Sequence, residues 1–390
     1  MEKKTEFDDI RPYYDDEVAP TIERLLKDPL IKKAVLYVFP EKDWAQEEKL
    51  LRTFSTKHAF QSWFAQDIIL ESINRTSTEV TYAGLEKVSK TTAYTYISNH
   101  RDIVLDAAML SSQLIVNGFE TAENAIGDNL LFIDLIKDLV RLNKSFIVRR
   151  NLPMRQMLEA SEHLSKYIRY TILNKKQSIW IAQREGRAKN SNDRTQESVL
   201  KMMLLGGDKN FLKSLTELNI TPITFSYEYD PCDFLKAKEF QQKRDNPDFK
   251  KSQKDDLLNM QNGLLGFKGR VHFKIGKSIN PSLLKLDNSL GRNELAKETA
   301  SIIDKEIFLN YKFFPINYIA FDRLWGKNLF RDKYTYEDIK NVEQYFQQQL
   351  DKIDLPYKDI PYLKERMAEM YAYPVRNNCE TVFDLFNYEL

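Results

Sequence analysis

From Thr76 onward the chain alternates short runs of β-branched and aromatic residues with longer stretches of helical periodicity. That alternation is the strongest constraint on what it can fold into. Strand-like runs fall near 78–82, 92–97, 145–149, 178–182, 220–227 and 270–275, and helical stretches at 101–117, 129–142 and 153–174 separate several of them. The pattern predicts an α/β fold with a mixed central sheet flanked by helices. In such sheets, chemistry gathers at strand ends and in the loops that leave them.

The regions on either side read as helical. Val18, Ile22, Leu25 and Leu26 recur at helical spacing with Pro20 near a first turn, and a second helical stretch runs from Trp44 to Ile73. This predicts an N-terminal helical domain over 1–75, an α/β domain over 76–330 and a C-terminal helical segment over 331–390. Trp44, Trp63 and Phe64 are expected to pack rather than to touch a membrane. Residues 236–262, of mixed charge and rich in Gln and Asn, read as a solvated helix or a mobile excursion.

Composition narrows the function classes. A chain of 390 residues can bury a large core, and a formal charge of +1 argues against a dedicated nucleic-acid binder. Cys232 and Cys379 lie far apart and read as reduced thiols of a cytoplasmic protein. The charged N-terminus carries no secretory h-region, and no run of about 18 apolar residues is present. Contact with lipid would then be peripheral, on the inner membrane face.

The segment Tyr96-Ile97-Ser98-Asn99-His100-Arg101-Asp102-Ile103-Val104-Leu105-Asp106 is the first candidate site. A histidine at a strand end with an acid nearby can take a proton from a hydroxyl, the carboxylate setting the imidazole tautomer. Only His58, His100, His163 and His272 compete for that role. Alone, a His-Arg-Asp cluster is more often a surface ion-pair network at a helix start. Three later blocks change the balance: Asn143 to Arg150, Trp180 to Lys189 and Ile220 to Glu228. Arg149 and Arg150 follow a strand, and alternation predicts that one of them faces a site. Glu185, Gly186, Arg187 and Lys189 follow another, with the glycine permitting a tight turn and close backbone approach. Pro222 implies an edge position or a strand start for its run. Cys232, a rival nucleophile, sits beside Asp230 and Asp233, which would raise its pKa and blunt it.

In this order the four blocks resemble the motifs of the glycerol-3-phosphate and lysophosphatidate acyltransferase superfamily: Asn-His-x4-Asp, Phe-Ile-Arg-Arg, Glu-Gly-x-Arg and a Val-Pro-Val-like strand. Gly269-Arg270-Val271 echoes a further family strand, so the resemblance spans roughly 76 to 280. One departure concerns the acid. The family position five residues after the histidine is Leu105 here, and the carboxylate is Asp106; one extra helical residue rotates a side chain by about 100°. Either Asp106 or Asp102 is left to orient His100.

The resemblance implies direct transfer of a fatty acyl group from acyl-CoA or acyl-ACP to a hydroxyl of glycerol 3-phosphate or lysophosphatidate. His100 would be the base, and no metal or cofactor would be needed. Arg149, Arg150, Glu185, Gly186, Arg187 and Lys189 would bind the acceptor, and the 220–227 strand would line the acyl cleft. Acylation of a non-phosphate lyso-lipid such as an amino-acid lipid, or a catalytically inactive lipid-binding relative, are the competing readings.

Overall fold

The computed structural model describes residues 5–150, 152–326 and 328–383. At its centre lie seven strands: β1 (Ser77–Ala83), β2 (Thr95–Ser98), β3 (Glu123–Gly127), β4 (Ser145–Val148), β5 (Ile179–Ala182), β6 (Ile220–Tyr227) and β7 (Gly269–Ile275). They form one sheet in the order β1-β7-β6-β2-β5-β3-β4. Strands β6, β2, β5, β3 and β4 are mutually parallel; β7 runs antiparallel to β6, and β1 is parallel to β7. The fold is therefore the mixed, helix-flanked α/β sheet that the alternation predicts.

The differences are local. Strand β3, Glu-Asn-Ala-Ile-Gly, has no matching run in the sequence, because polar residues and a terminal glycine hide it. Pairing to β4 on one side and β5 on the other makes it a strand. Pro222 stands third in β6, an internal strand buried along its whole length, and not at an edge. It has no N–H to give, but its carbonyl accepts from Gly276 N–H at 2.8 Å.

Helices cover both faces. On one, Leu105, Met109, Leu110 and Leu114 of the Leu105–Val116 helix pack on Tyr96, Phe225 and Phe273. Val18, Ile22, Phe60 and Trp63 of the N-terminal helices belong to the same cluster, with Trp44 and Phe64 packed against it. On the other face lie helices Met154–Arg169, Glu197–Leu204 and Arg292–Leu309. A third cluster joins helices Pro315–Trp325, Tyr336–Asp351 and Ile360–Phe383. Among the described residues no helix is long and apolar enough to cross a membrane.

The charged stretch 236–262 is helical and exposed over much of its length, but one side of it is buried. It forms most of helices Asp233–Asp245 and Gln253–Leu265, and it buries Lys236, Glu239, Gln241 and Asn259. Glu239 and Asn259 are buried against Lys189 and Arg187, partners far away in the chain, which periodicity does not reveal. Gly263 sets how close the second helix comes: a Cβ there would lie 2.0 Å from Asp102 Oδ2. Ordinarily Gly→Ala inside a helix stabilises by about 1 kcal/mol. Here the added methyl must push the helix off the Asp102 loop, so Gly263→Ala is expected to destabilise by about 1–3 kcal/mol. Urea unfolding reads the sign; a gain in midpoint would refute the close approach.

Candidate active site

Parallel strands bring their C-terminal ends to one edge of the sheet. The segments leaving β2, β3, β4 and β5 therefore converge, and they enclose a cavity of about 600 Å³. His100, Arg149, Arg150, Arg184, Glu185, Gly186, Arg187 and Lys189 all line it. An apolar portion is walled by Ile126, Val148, Met157, Trp180, Val199 and Met202.

His100 is fixed from three directions. Asn99, fully buried, clamps β6: its Nδ2 donates to Phe225 O and its Oδ1 accepts from Phe225 N, both at 2.9 Å. The His100 backbone N–H donates to Asp193 Oδ2 at 2.8 Å. The ring Nδ1 lies 3.0 Å from Asp106 Oδ2, and the ring sits edge-on to Trp180 at 5.8 Å. The imidazole keeps some exposure, toward the cavity.

Asp106 has no exposed surface and is surrounded by donors. Its Oδ2 also accepts from Arg101 N at 2.7 Å and Asp102 N at 3.0 Å, and its Oδ1 accepts from Tyr227 OH at 3.2 Å. Burial, then Asp106, pushes the Tyr227 hydroxyl well above its usual range, so it stays a donor. An acceptor-only carboxylate leaves the proton on His100 Nδ1 and the lone pair on Nε2.

Of the two candidate carboxylates, then, Asp106 touches the ring. Asp102 does not: its Oδ1 accepts from Val104 N at 2.8 Å and Leu105 N at 2.9 Å, capping the helix start. The extra residue relative to the Asn-His-x4-Asp spacing is taken up in this turn, since the helix begins only at Leu105. Burial, then Asp106, raises the Asp102 carboxyl. Arg101 is turned away from the cavity, toward Ser191 and Asp230. Burial alone would raise Asp230, but Lys236 and Arg101 outweigh it and hold it at about 2.

The basic residues are unequal. Both Arg149 and Arg150 border the cavity, contrary to strict alternation, because β4 has already ended at Val148. Arg149 leans to Asp9 at 3.8 Å and Arg150 to Glu185 at 3.9 Å. Gly186 adopts φ +67°, the left-handed region that favours glycine, and so turns the chain back over the cavity. Lys189 pairs with Glu239 and so is not free for a ligand; burial pulls it down to about 8 against that partner. Arg187 Nη2 donates to Asn259 Oδ1 at 3.0 Å. Strand β6 does not line the cavity; it acts through Asn99 and Tyr227. Cys232 is buried, its Sγ donates to Asn259 O, and burial, then Asp230, pushes its thiol to about 12, which makes it a poor nucleophile.

The sequence alone does not mark Asp193, Arg184 and Asn259 as site residues. Tyr227 carries a signal: alternation from Ile223 and Phe225 places it on the face that meets the Leu105–Val116 helix.

Residues 79–227 match the family model described as Acyltransferase. This segment contains His100, Asp106, both arginines of the β4 end and the Glu185–Lys189 turn, so the site lies within an acyltransferase domain. Among solved structures, the 1-acyl-sn-glycerophosphate (LPA) acyltransferase PlsC from Thermotoga maritima is loosely similar, at 10% identity over 74% of this chain and 94% of that one, with a TM-score of 0.35. No curated protein matches the sequence.

Removing the Tyr227 hydroxyl leaves Asp106 one donor short. Tyr227→Phe is expected to lower the acyl-transfer kcat about 10-fold, about 1.4 kcal/mol of barrier, with KM little changed. Asp106→Ala should cost more, about 10³-fold or greater, by releasing the ring as well. Equal losses in the two variants would mean that Tyr227 does more than hold the carboxylate.

Proposed function

We propose that this protein transfers a fatty acyl group from a thioester, acyl-CoA or acyl-ACP, to a hydroxyl of a phosphorylated acceptor, glycerol 3-phosphate or lysophosphatidate. The observation that carries this reading is His100, hydrogen-bonded through Nδ1 to buried Asp106 on the wall of a cavity rimmed by Arg149, Arg150, Arg184 and Arg187.

In this reading Nε2 takes the acceptor hydroxyl proton as the oxygen attacks the thioester carbonyl. A C–O bond forms, the tetrahedral intermediate collapses, the C–S bond breaks, and the imidazolium returns its proton to the leaving thiolate. Asp106 stabilises the imidazolium while it lasts. The thioester is already activated, so no covalent enzyme intermediate is required. Arginine forks suit a phosphate because they match its oxygens bidentately. The apolar portion of the cavity, between Ile126, Val148, Trp180, Val199 and Met202, suits the acyl chain. Lipid would be met peripherally, from the cytoplasmic side.

The test is transfer of a labelled palmitoyl group from its thioester to glycerol 3-phosphate and to lysophosphatidate, in wild type and in His100→Ala. The variant should lose about 10²–10⁴-fold, the range of a general base. Transfer that survives the substitution would remove His100 from the role. Transfer only to acceptors that lack phosphate would replace the acceptor class.

A further inference from the structure

Strands β6 and β7 are antiparallel neighbours, which a tight turn could join. Instead residues 228–268 leave the sheet, and two helices of that excursion grip the site. Lys236 Nζ reaches Asp230 and Arg101 O, Glu239 pairs with Lys189, Gly263 lies against Asp102, and Asn259 holds Arg187.

The last contact differs in kind from the others. Arg101 is paired with Asp230, Lys189 with Glu239, and Arg149 and Arg150 lean on Asp9 and Glu185. Among the described residues Arg187 is in no direct ion pair, and Asp102 feels its charge only at longer range. Its one hydrogen-bond partner is the neutral amide of Asn259, and its buried Nη1 has none. Asn259 is itself fixed: it is almost fully buried, and its Nδ2 donates to Asp255 O at 2.8 Å, which leaves Oδ1 for the guanidinium. A neutral partner orients the fork without cancelling its charge. A buried, unsatisfied N–H on a full cation favours an anionic oxygen.

We propose that Asn259 is a positioning residue for the acceptor: it holds Arg187 oriented and outside any direct ion pair, ready for the anionic group of the acceptor, so the β6–β7 excursion takes part in choosing the substrate. This deepens the acyl-transfer reading and rests on it.

Two variants test it. Asn259→Ala frees the guanidinium. Asn259→Asp keeps the shape and the hydrogen bond but neutralises Arg187. Both are expected to raise the KM for glycerol 3-phosphate about 10-fold, the equivalent of one lost charge-assisted contact. The palmitoyl-thioester KM and kcat should stay within about twofold, because His100 and Asp106 are untouched. Inorganic phosphate at millimolar concentration should raise the thermal midpoint of wild type, and neither variant should show that rise. An Asn259→Asp enzyme with wild-type acceptor KM and phosphate response would overturn the proposal, since Asn259 would then matter only for shape. So would variants that lose kcat at unchanged acceptor KM. Phosphate stabilisation confined to wild type, in a protein that transfers acyl groups to no acceptor, would uphold the anion site and sink the acyl-transfer reading instead.

Discussion

The burial of one carboxylate organises the site. Asp106 has no exposed surface, and an ionised carboxyl out of water survives only if donors replace its hydration. It has four: the His100 ring, two successive backbone N–H groups and the Tyr227 hydroxyl. To present those two amides, the chain after β2 has to turn before it can become helical, so the helix starts at Leu105 and Asp102 is left to cap it. To present Tyr227, β6 has to lie beside β2, and the Asn99 clamp on Phe225 holds it there. The strand order near the site and the conformation of its central loop thus answer to the same group.

Around that centre, charge is handled locally. The chain is nearly neutral, with a formal charge of +1, yet its cavity is rimmed with arginines. Bulk charge therefore says little about the field a substrate meets. Arg101, Lys236 and Lys189 are each matched by an acid, and at Asp230, held to about 2 between Lys236 and Arg101, the match outweighs burial. Arg187 stands apart because its partner is neutral. A basic motif in a sequence is only a list of cations; which of them still has charge to offer depends on the acids that fold against it.

The excursion between β6 and β7 shows the same point from the other side. Read as a string it is polar, mixed in charge and rich in Gln and Asn, the mark of a solvated face. In the structure Lys236, Glu239 and Asn259 are buried because their partners, Asp230, Lys189 and Arg187, wait at the sheet edge. Lys268 secures its return, donating to Leu264 O and Gly266 O at the end of the second helix and to Thr76 Oγ1. Side chains that would sit comfortably in water sit instead in a wall.

Much of the architecture was legible along the chain because it is encoded by neighbours. Short β-branched runs and helical spacing are local signals, so the alternating α/β order, six of the seven strands and the placing of His100, Arg150 and Arg187 just beyond strand ends could all be read directly. Strand β3 escaped because its residues are poor strand formers and only its two neighbours make it one. Tertiary structure alone decided which acid meets His100, that Tyr227 completes the carboxylate's shell, that Lys189 is already paired and that Asn259 holds Arg187. Each of these depends on a hydrogen bond whose direction a few degrees of turn geometry settle, or on two residues that lie far apart in sequence and meet only when the sheet closes. Periodicity carries no record of either.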